Sequence, residues 1–430
     1  MKFKLKPIEK KWILYDIGNS AFALLISTII PIYFNYLAGD AGISEVNYLA
    51  YWGYATSAAT VIVAVLGPLL GTVSDAAGRK KKIFMIALLA GALGCVFLGF
   101  MQSWIWFLLL FVFAKSAYSL SLVIYDSMLT DITSEERMDE VSAQGYAWGY
   151  IGSCVPFICS LLLVLFYDKV GLSMQTAMGI SFFLVAVWWI ALTVPLLKSY
   201  RQTHSRKPAV HAGQSGAQRL GQIVSELRKD KKVLFFLAAF FFYIDGVYTI
   251  IDMATAYGTA LGLDTTGLLL ALLLTQIVAF PAALLFGRIS RKVSASRLIL
   301  VCISAYFLIA LYGIGLHRQY QFWILAVCVG CFQGAVQSMS RSYYAKIIPA
   351  EKSGEYFGIY DICGKGASFM GTILVSAVSQ ITGSGNLGVG ALSVMFLAGF
   401  FLFLKADKTE KSEEEQENPG VLFQQPGLGQ

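Results

Sequence analysis

Histidine is scarce: only His204, His211 and His317 occur in 430 residues, and all three fall outside the long apolar runs. That leaves no imidazole for a His-based triad or an intramembrane metal site, and a proton crossing a membrane here must travel on a carboxylate. Charge is scarce too, at 14% against 57% hydrophobic residues, far from the makeup of a soluble domain. The solvent is therefore lipid. No phosphate-binding loop is present: the glycines around Gly383 and Gly385 lack a Lys-Ser or Lys-Thr partner and follow an apolar run. ATP-driven work by this chain alone is excluded, no enzyme chemistry is suggested, and no cofactor is expected. The seven cysteines all lie in apolar runs, so no disulfide framework is implied. Cys328 and Cys331 form a CxxC without a second pair and read as small packing residues, not as a metal site. The basic first ten residues precede an apolar run too long for a signal peptide, which reads as a retained first helix.

What is abundant is apolar runs of about 20 residues, each long enough to cross a hydrocarbon core of roughly 30 Å. Twelve are read, over 12–38, 50–74, 82–101, 103–128, 142–167, 173–197, 233–260, 267–287, 298–316, 322–345, 354–380 and 386–404. The fold class is an all-α integral membrane protein of twelve transmembrane helices in two six-helix halves, 1–197 and 233–404. Between them runs a basic linker, 198–232, and a tail, 405–430, is expected to be disordered because its Glu- and Lys-rich stretch cannot bury a core. With the N-terminus inside, 29 of the 33 lysines and arginines fall in cytoplasmic segments and only Lys169 and Arg318 outside. Both termini are thus expected in the cytoplasm of a cell whose plasma membrane holds the chain. The net charge of +7 reads as a basic rim facing anionic lipid, and nucleic-acid binding is not expected.

The halves repeat. Adding 215 carries Ile132, Glu136, Arg137, Glu140, Gly149 and Ser153 onto Ile347, Glu351, Lys352, Glu355, Gly364 and Ser368, as duplication of a six-helix unit requires.

Between spans two and three stands Gly71-Thr-Val-Ser-Asp75-Ala-Ala-Gly78-Arg79-Lys80-Lys81-Lys82. Gly71 permits close helix approach, Gly78 suits a tight turn, and Asp75 is a carboxylate able to cap a helix or pair with Arg79. The stretch resembles the signature loop of the major facilitator superfamily. The resemblance implies a conformational latch, with the acid docked at the start of helix eleven, here near Gly354. The second-half equivalent, Gly287-Arg288-Ile-Ser-Arg291-Lys292, has Arg291 where the acid would stand, which removes the basis for a second latch. Four further stretches narrow the resemblance: Trp12 to Ala21, Tyr243 to Ile250, Leu274 to Pro281, and Gln337 to Ser342 running on through Glu355–Tyr360 to Gly364–Ser368. Together they are similar to the vacuole-effluxer-like family, whose fungal members release amino acids from the vacuole during autophagy. Members usually carry Asn just before the span-seven Asp; Ile244 here removes that polar group.

Ionisable groups inside spans are functional candidates by default. At 1.5 Å per residue, Lys115, Asp245 and Lys365 lie near mid-membrane. Asp16 and Asp126 lie near the cytoplasmic ends of spans one and four, and Asp252 toward the outer end of span seven. The superfamily resemblance implies that spans one, four, seven and ten line a central cavity, where the first three charges would converge. Two ammonium groups and a carboxylate suit a zwitterion, with Asn19, Tyr118, Tyr125, Tyr248, Gln333 and Gln337 as further lining candidates and Asp245, Asp16 and Asp126 as proton carriers. Two plainer arrangements stay open: Asp245 and Lys365 neutralising each other, or Lys365 held by Asp361 one turn away. Trp148 and Tyr150 read as packing or interfacial aromatics. The expected function is secondary transport of a small zwitterion, amino acids first, in the export direction and coupled to protons, by a monomer whose partners are its solute and lipid. The alternatives are an exporter of drug-like or lipid-like amphiphiles and a non-transporting membrane receptor.

Overall fold

A computed structural model describes residues 3–206, 216–365 and 368–417. The first span breaks where proline demands it. Pro31 has no N–H to continue the ladder, and Thr28 turns out of helical geometry (φ −129, ψ −68) between α1 (Pro7–Ser27) and α2 (Ile29–Asp40). Next come α3 (Glu45–Ser74), α4 (Lys80–Leu98), α5 (Trp104–Ser127), the short α6 (Leu129–Ile132), α7 (Glu135–Leu165) and α8 (Met174–Ser199). The linker carries α9 (Gly216–Lys229). The second half holds α10 (Lys231–Ala260), α11 (Thr265–Ile289), α12 (Ala295–Ile314), α13 (Gln319–Ile347), α14 (Ser353–Lys365), α15 (Ser368–Thr382) and α16 (Gly385–Glu417).

Among the described residues eleven helices are long and apolar enough to cross a membrane, and Met370–Thr382 is a shorter apolar helix. Taken with α14, the latter supplies the remaining span, so the chain is a twelve-span multi-pass membrane protein. Two boundaries differ most from the sequence reading. Span five starts seven residues earlier than 142, because Glu135 and Glu136 favour a helix N-terminus. Residues 405–417, expected to be disordered, prolong α16 to Glu417: an established helix adds Lys, Glu and Gln at little cost once nucleated. The rest of the tail, 418–430, lies outside the described residues, as do 207–215 of the linker.

The halves meet along equivalent helices, α3 against α14 and α7 against α11, with α5 also touching α14 and α7 touching α13. The approach of α3 to α14 requires glycine: a Cβ on Gly71 would lie 2.1 Å from the Gly354 carbonyl oxygen. The end of the bundle where α1 begins, α3 turns into α4 and α13 turns into α14 gathers most of the lysines and arginines, and is called the basic end below.

Candidate functional site

A cavity of about 440 Å³ lies between the halves. Its wall draws on the helices the resemblance implied, α1, α5, α10 and α13, with α3, α7, α11 and α14 at the flanks. Of the predicted residues, Asp16, Asn19, Lys115, Tyr118, Asp126, Tyr248, Gln333 and Gln337 line it, joined by Asp252, Asp361 and Arg341. Lys115 of the first half and Asp252 of the second thus bring opposite charges to one cavity.

Asp245 stands off this cavity, contrary to the expectation that it converges there with Lys115. It is fully buried and faces α15, accepting hydrogen bonds from the Gly371 N–H at 2.8 Å and the Thr249 hydroxyl at 3.3 Å. Depth along a helix does not fix direction around it. The cavity face of α10 is Phe240, Ile244, Tyr248 and Ile251, and Asp245 is turned about 100° from Ile244. The side chain of Lys365 lies outside the described residues. Tyr125 packs beneath the cavity, stacked on Trp12 with ring centroids 4.5 Å apart.

The floor is a charge cluster built on Arg341, which the sequence reading counted among the cytoplasmic basic residues. The guanidinium is buried: Nη1 donates to Asp126 Oδ1 at 3.0 Å, Nη2 to Asp16 Oδ2 at 3.2 Å and to the Ser142 carbonyl at 3.1 Å, and Nε to the Ser142 hydroxyl at 3.0 Å. Trp12 and Tyr146 present ring faces to it at 4.6 and 4.4 Å. Thus one residue of α13 holds α1, α5 and α7 of the other half. Asp16 fits only because position 145 is glycine; a Cβ there would sit 2.2 Å from its Oδ2. Asn19 turns its amide back to the Tyr15 carbonyl at 3.2 Å and toward Asp16 at 3.5 Å. The missed signal was the polar run Gln337-Ser-Met-Ser340-Arg341-Ser342, which looks like the end of a span but lies inside α13.

Below the floor the basic end is closed. Asp75 caps α14, accepting from the Gly354 N–H at 2.8 Å and the Glu355 N–H at 2.9 Å. Burial pushes its carboxyl up to about 7, against the opposing pull of Lys80 and the two N–H groups. Its cation is Lys80 at 3.9 Å, while Arg79 is exposed. Lys80 also donates to Ser353 at 2.9 Å and Asp131 at 3.2 Å. Gly78 takes the left-handed turn (φ +71) that leads into α4. The linker adds a strand-like contact: the Arg206 N–H donates to the Asp75 carbonyl at 2.8 Å, and its guanidinium to Glu355 at 3.3 Å. Arg291 pairs with Glu140, and Lys346 with Asp139 at 2.7 Å.

Residues 130–417 match the family described as vacuole effluxer Atg22 like. The uncharacterized MFS-type transporter YxiO of Bacillus subtilis (strain 168) is 38% identical over 416 residues, which cover 95% of this chain and 97% of that protein. Autophagy-related protein 22-1 of Penicillium rubens is 26% identical over 293 residues, which cover 62% of this chain and 49% of that protein, about half its length. Among solved structures, the major facilitator superfamily transporter FucP in the outward conformation aligns with a TM-score of 0.70 at 12% identity, over 93% of this chain and 97% of that one. At such identity the likeness concerns the fold alone.

Proposed function

The chain belongs to the vacuole effluxer Atg22-like family, and from that premise we propose that it exports small zwitterionic solutes, amino acids first, across the plasma membrane by alternating access coupled to protons. The basic end is cytoplasmic in this reading, because lysines and arginines gather there; the closed basic end then makes the present conformation outward-open.

The observation that carries the proposal is that the two halves bring opposite charges to one cavity. Lys115 comes from one half and Asp252 from the other, and Asn19, Gln333 and Gln337 line the same cavity. An amino acid with its carboxylate toward Lys115 and its ammonium toward Asp252 matches both charges, whereas a neutral solute offers a counter-charge to neither.

The floor supplies the coupling. Opening the basic end pulls α13 away from α1, α5 and α7, which strands Arg341 from Asp16 and Asp126. Of the two floor carboxylates, Asp126 is the one the cavity reaches more readily, with its side chain 18% exposed against 8% for Asp16. A proton taken there lowers the cost of separation, since it removes one of the two anions that Arg341 must leave. The Asp75 cap is the second lock to be released.

Counterflow and uphill uptake in proteoliposomes test this. Lys115→Gln and Asp252→Asn should each weaken amino-acid binding by about 1.5–3 kcal/mol, as for a lost charge-assisted hydrogen bond. Asp126→Asn should keep counterflow and lose uphill transport. Uphill transport intact in that variant removes Asp126 as proton carrier; no counterflow and no thermal stabilisation of the wild type with any amino acid sinks the solute class.

A further inference from the structure

The seam between α7 and α11 at the basic end is overlain by a segment that belongs to no span. Residues 3–6 precede α1 and pass the start of α7, where the Lys4 carbonyl meets Arg137. The partly buried ring of Phe3 faces a guanidinium from each half, Arg137 of α7 at 4.2 Å and Arg291 of α11 at 4.9 Å. Both distances lie within the range in which the negative face of a ring attracts a cation. The α3 and α14 seam is overlain in the same manner, by Arg206 of the linker, which donates to Glu355 of α14.

The two attachments of this segment differ in kind. Its hold on the first half is firm. Glu9 is fully buried and accepts from Arg137 Nε at 2.8 Å, from Arg137 Nη2 at 2.7 Å and from the Thr133 hydroxyl at 2.8 Å, while Nη2 also donates to the Lys4 carbonyl at 3.0 Å. These bonds join residues of one half and survive when the halves part. The contact of Phe3 with Arg291 lasts only while α11 lies on α7. A contact made in one state and lost in the other biases the balance between them by its whole free energy. Arg137 and Arg291 carry like charge, and a ring that faces both gives each a partner besides its carboxylate, which an aliphatic side chain of similar bulk would not. We propose that Phe3 is a positioning residue of the transport cycle: the tip of a strap anchored on the first half, it holds α11 against α7 and sets how much of the protein has its basic end closed. This rests on alternating access in the reading above and is independent of the solute.

The strap has a signature that packing alone would not give. Without a cation at position 291, what Phe3 retains is its contact with Arg137, which both states share, so its influence on closure should vanish. Cross-linking between cysteines placed at the basic ends of α7 and α11 would be measured in the full chain, in Phe3→Leu, Phe3→Trp, Arg291→Gln and the double variant, with Gly71→Ala as a change that forces the halves apart without touching Phe3. Phe3→Leu should lower the ratio of closed to open protein about two- to fivefold, the range of an exposed cation–π contact. Phe3→Trp should raise it, because indole is the stronger partner of a cation. Added to Arg291→Gln, Phe3→Leu should change nothing further. An equal effect of Phe3→Leu with and without Arg291 overturns the proposal, since the ring would then act by bulk. If Gly71→Ala opens the basic end and Phe3→Leu matches the wild type, the strap falls and alternating access stands. If neither change alters the cross-link, the basic end does not open and both fall.

Discussion

The loop Gly71–Lys82 and its second-half counterpart Gly287–Lys292 occupy equivalent places and close the basic end by different chemistry. Each opens with a glycine pressed on the other half: a Cβ on Gly71 would meet the Gly354 carbonyl, and one on Gly287 would lie 2.8 Å from the Ala143 Cβ. Four residues on, Asp75 takes two backbone N–H groups at the start of α14. Arg291 at the matching position instead forks onto the Glu140 carboxylate through Nε and Nη2. The reason lies in where the facing helix begins. Helix α14 starts at Ser353, so the N–H groups of Gly354 and Glu355 have no partner within the helix and want a carboxylate. Helix α7 starts at Glu135, and by Glu140 its N–H groups are already spent within the helix. An acid at position 291 would find no donors there, whereas an arginine finds the side chain of Glu140, the repeat equivalent of Glu355. The sequence reading saw Arg291 as the loss of a second latch. In the structure it is a second contact of opposite sign, and duplication has kept the place while the partner decided the charge.

The largest effect should come from the glycines, since backbone contact cannot relax as a side chain does. Gly71→Ala should force α3 from α14 and cost about 1–3 kcal/mol, as for overpacking, seen as a lower melting temperature and loss of cross-linking between cysteines placed at the basic ends of α3 and α14. Gly287→Ala meets only a methyl group and should sit at the low end of that range. Equal costs at the two positions would mean that the two contacts are equally rigid and that the comparison holds for charge alone.

Next in size is the buried cap. Asp75→Asn keeps one acceptor but turns an NH2 group toward one of the two backbone N–H donors, at about 1 kcal/mol, which should bias the balance of states more than it affects folding. Its pH dependence is the sharper test. With the cap in place burial pushes the carboxyl up to about 7; released into water it returns toward its ordinary value of 3.8. The closed state therefore holds a proton that the released state gives up across that interval. Closure gains stability that is complete below about 3.8 and is lost as pH rises through about 7. Cross-linking at the basic end should fall between pH 6 and pH 8 in the wild type and stay level in Asp75→Asn. A wild-type response as flat as the variant's would show that burial does not govern Asp75.

How far the sequence reached depended on whether a feature was local. The spans were legible because hydropathy over 20 residues needs no knowledge of neighbours, and the repeat because six matched positions at one offset survive divergence. Lys115, Asn19, Gln333 and Gln337 were legible as cavity residues because the resemblance supplied the helix order and depth supplied the level. Arg341 was not. Its burial is made by Asp16, Asp126 and Ser142, each about two hundred residues or more away in the chain, and nothing around it in α13 distinguishes a buried arginine from one at a loop. Asp245 was misplaced for another reason: depth along a helix does not set direction around it, and the turn of α10 toward α15 has no local signal. Tyr150 was discounted as packing, and its place on the cavity wall emerges only once α7 and α13 are side by side.

The smallest effect should belong to the Arg291–Glu140 pair. The Arg291 side chain is 37% exposed, so water replaces much of what it offers, and Arg291→Gln should cost no more than about 1 kcal/mol. Salt separates it from the buried cap. Raising ionic strength from 0.1 to 1 M shortens the screening length from about 10 to about 3 Å, which should weaken closure through Arg291 and leave the contribution of Asp75 almost unchanged. If the pair acts through its charges, Arg291→Glu should open the basic end by placing two anions together, and adding Glu140→Arg to it should restore much of the closure, because the fork can form with its ends exchanged. Cross-linking at low and high salt in the wild type, the single change and the double change reads this directly. If the double change closes no better than Arg291→Glu alone, the fork geometry and not the charge is what joins α11 to α7, and the two contacts then differ in shape as well as in sign.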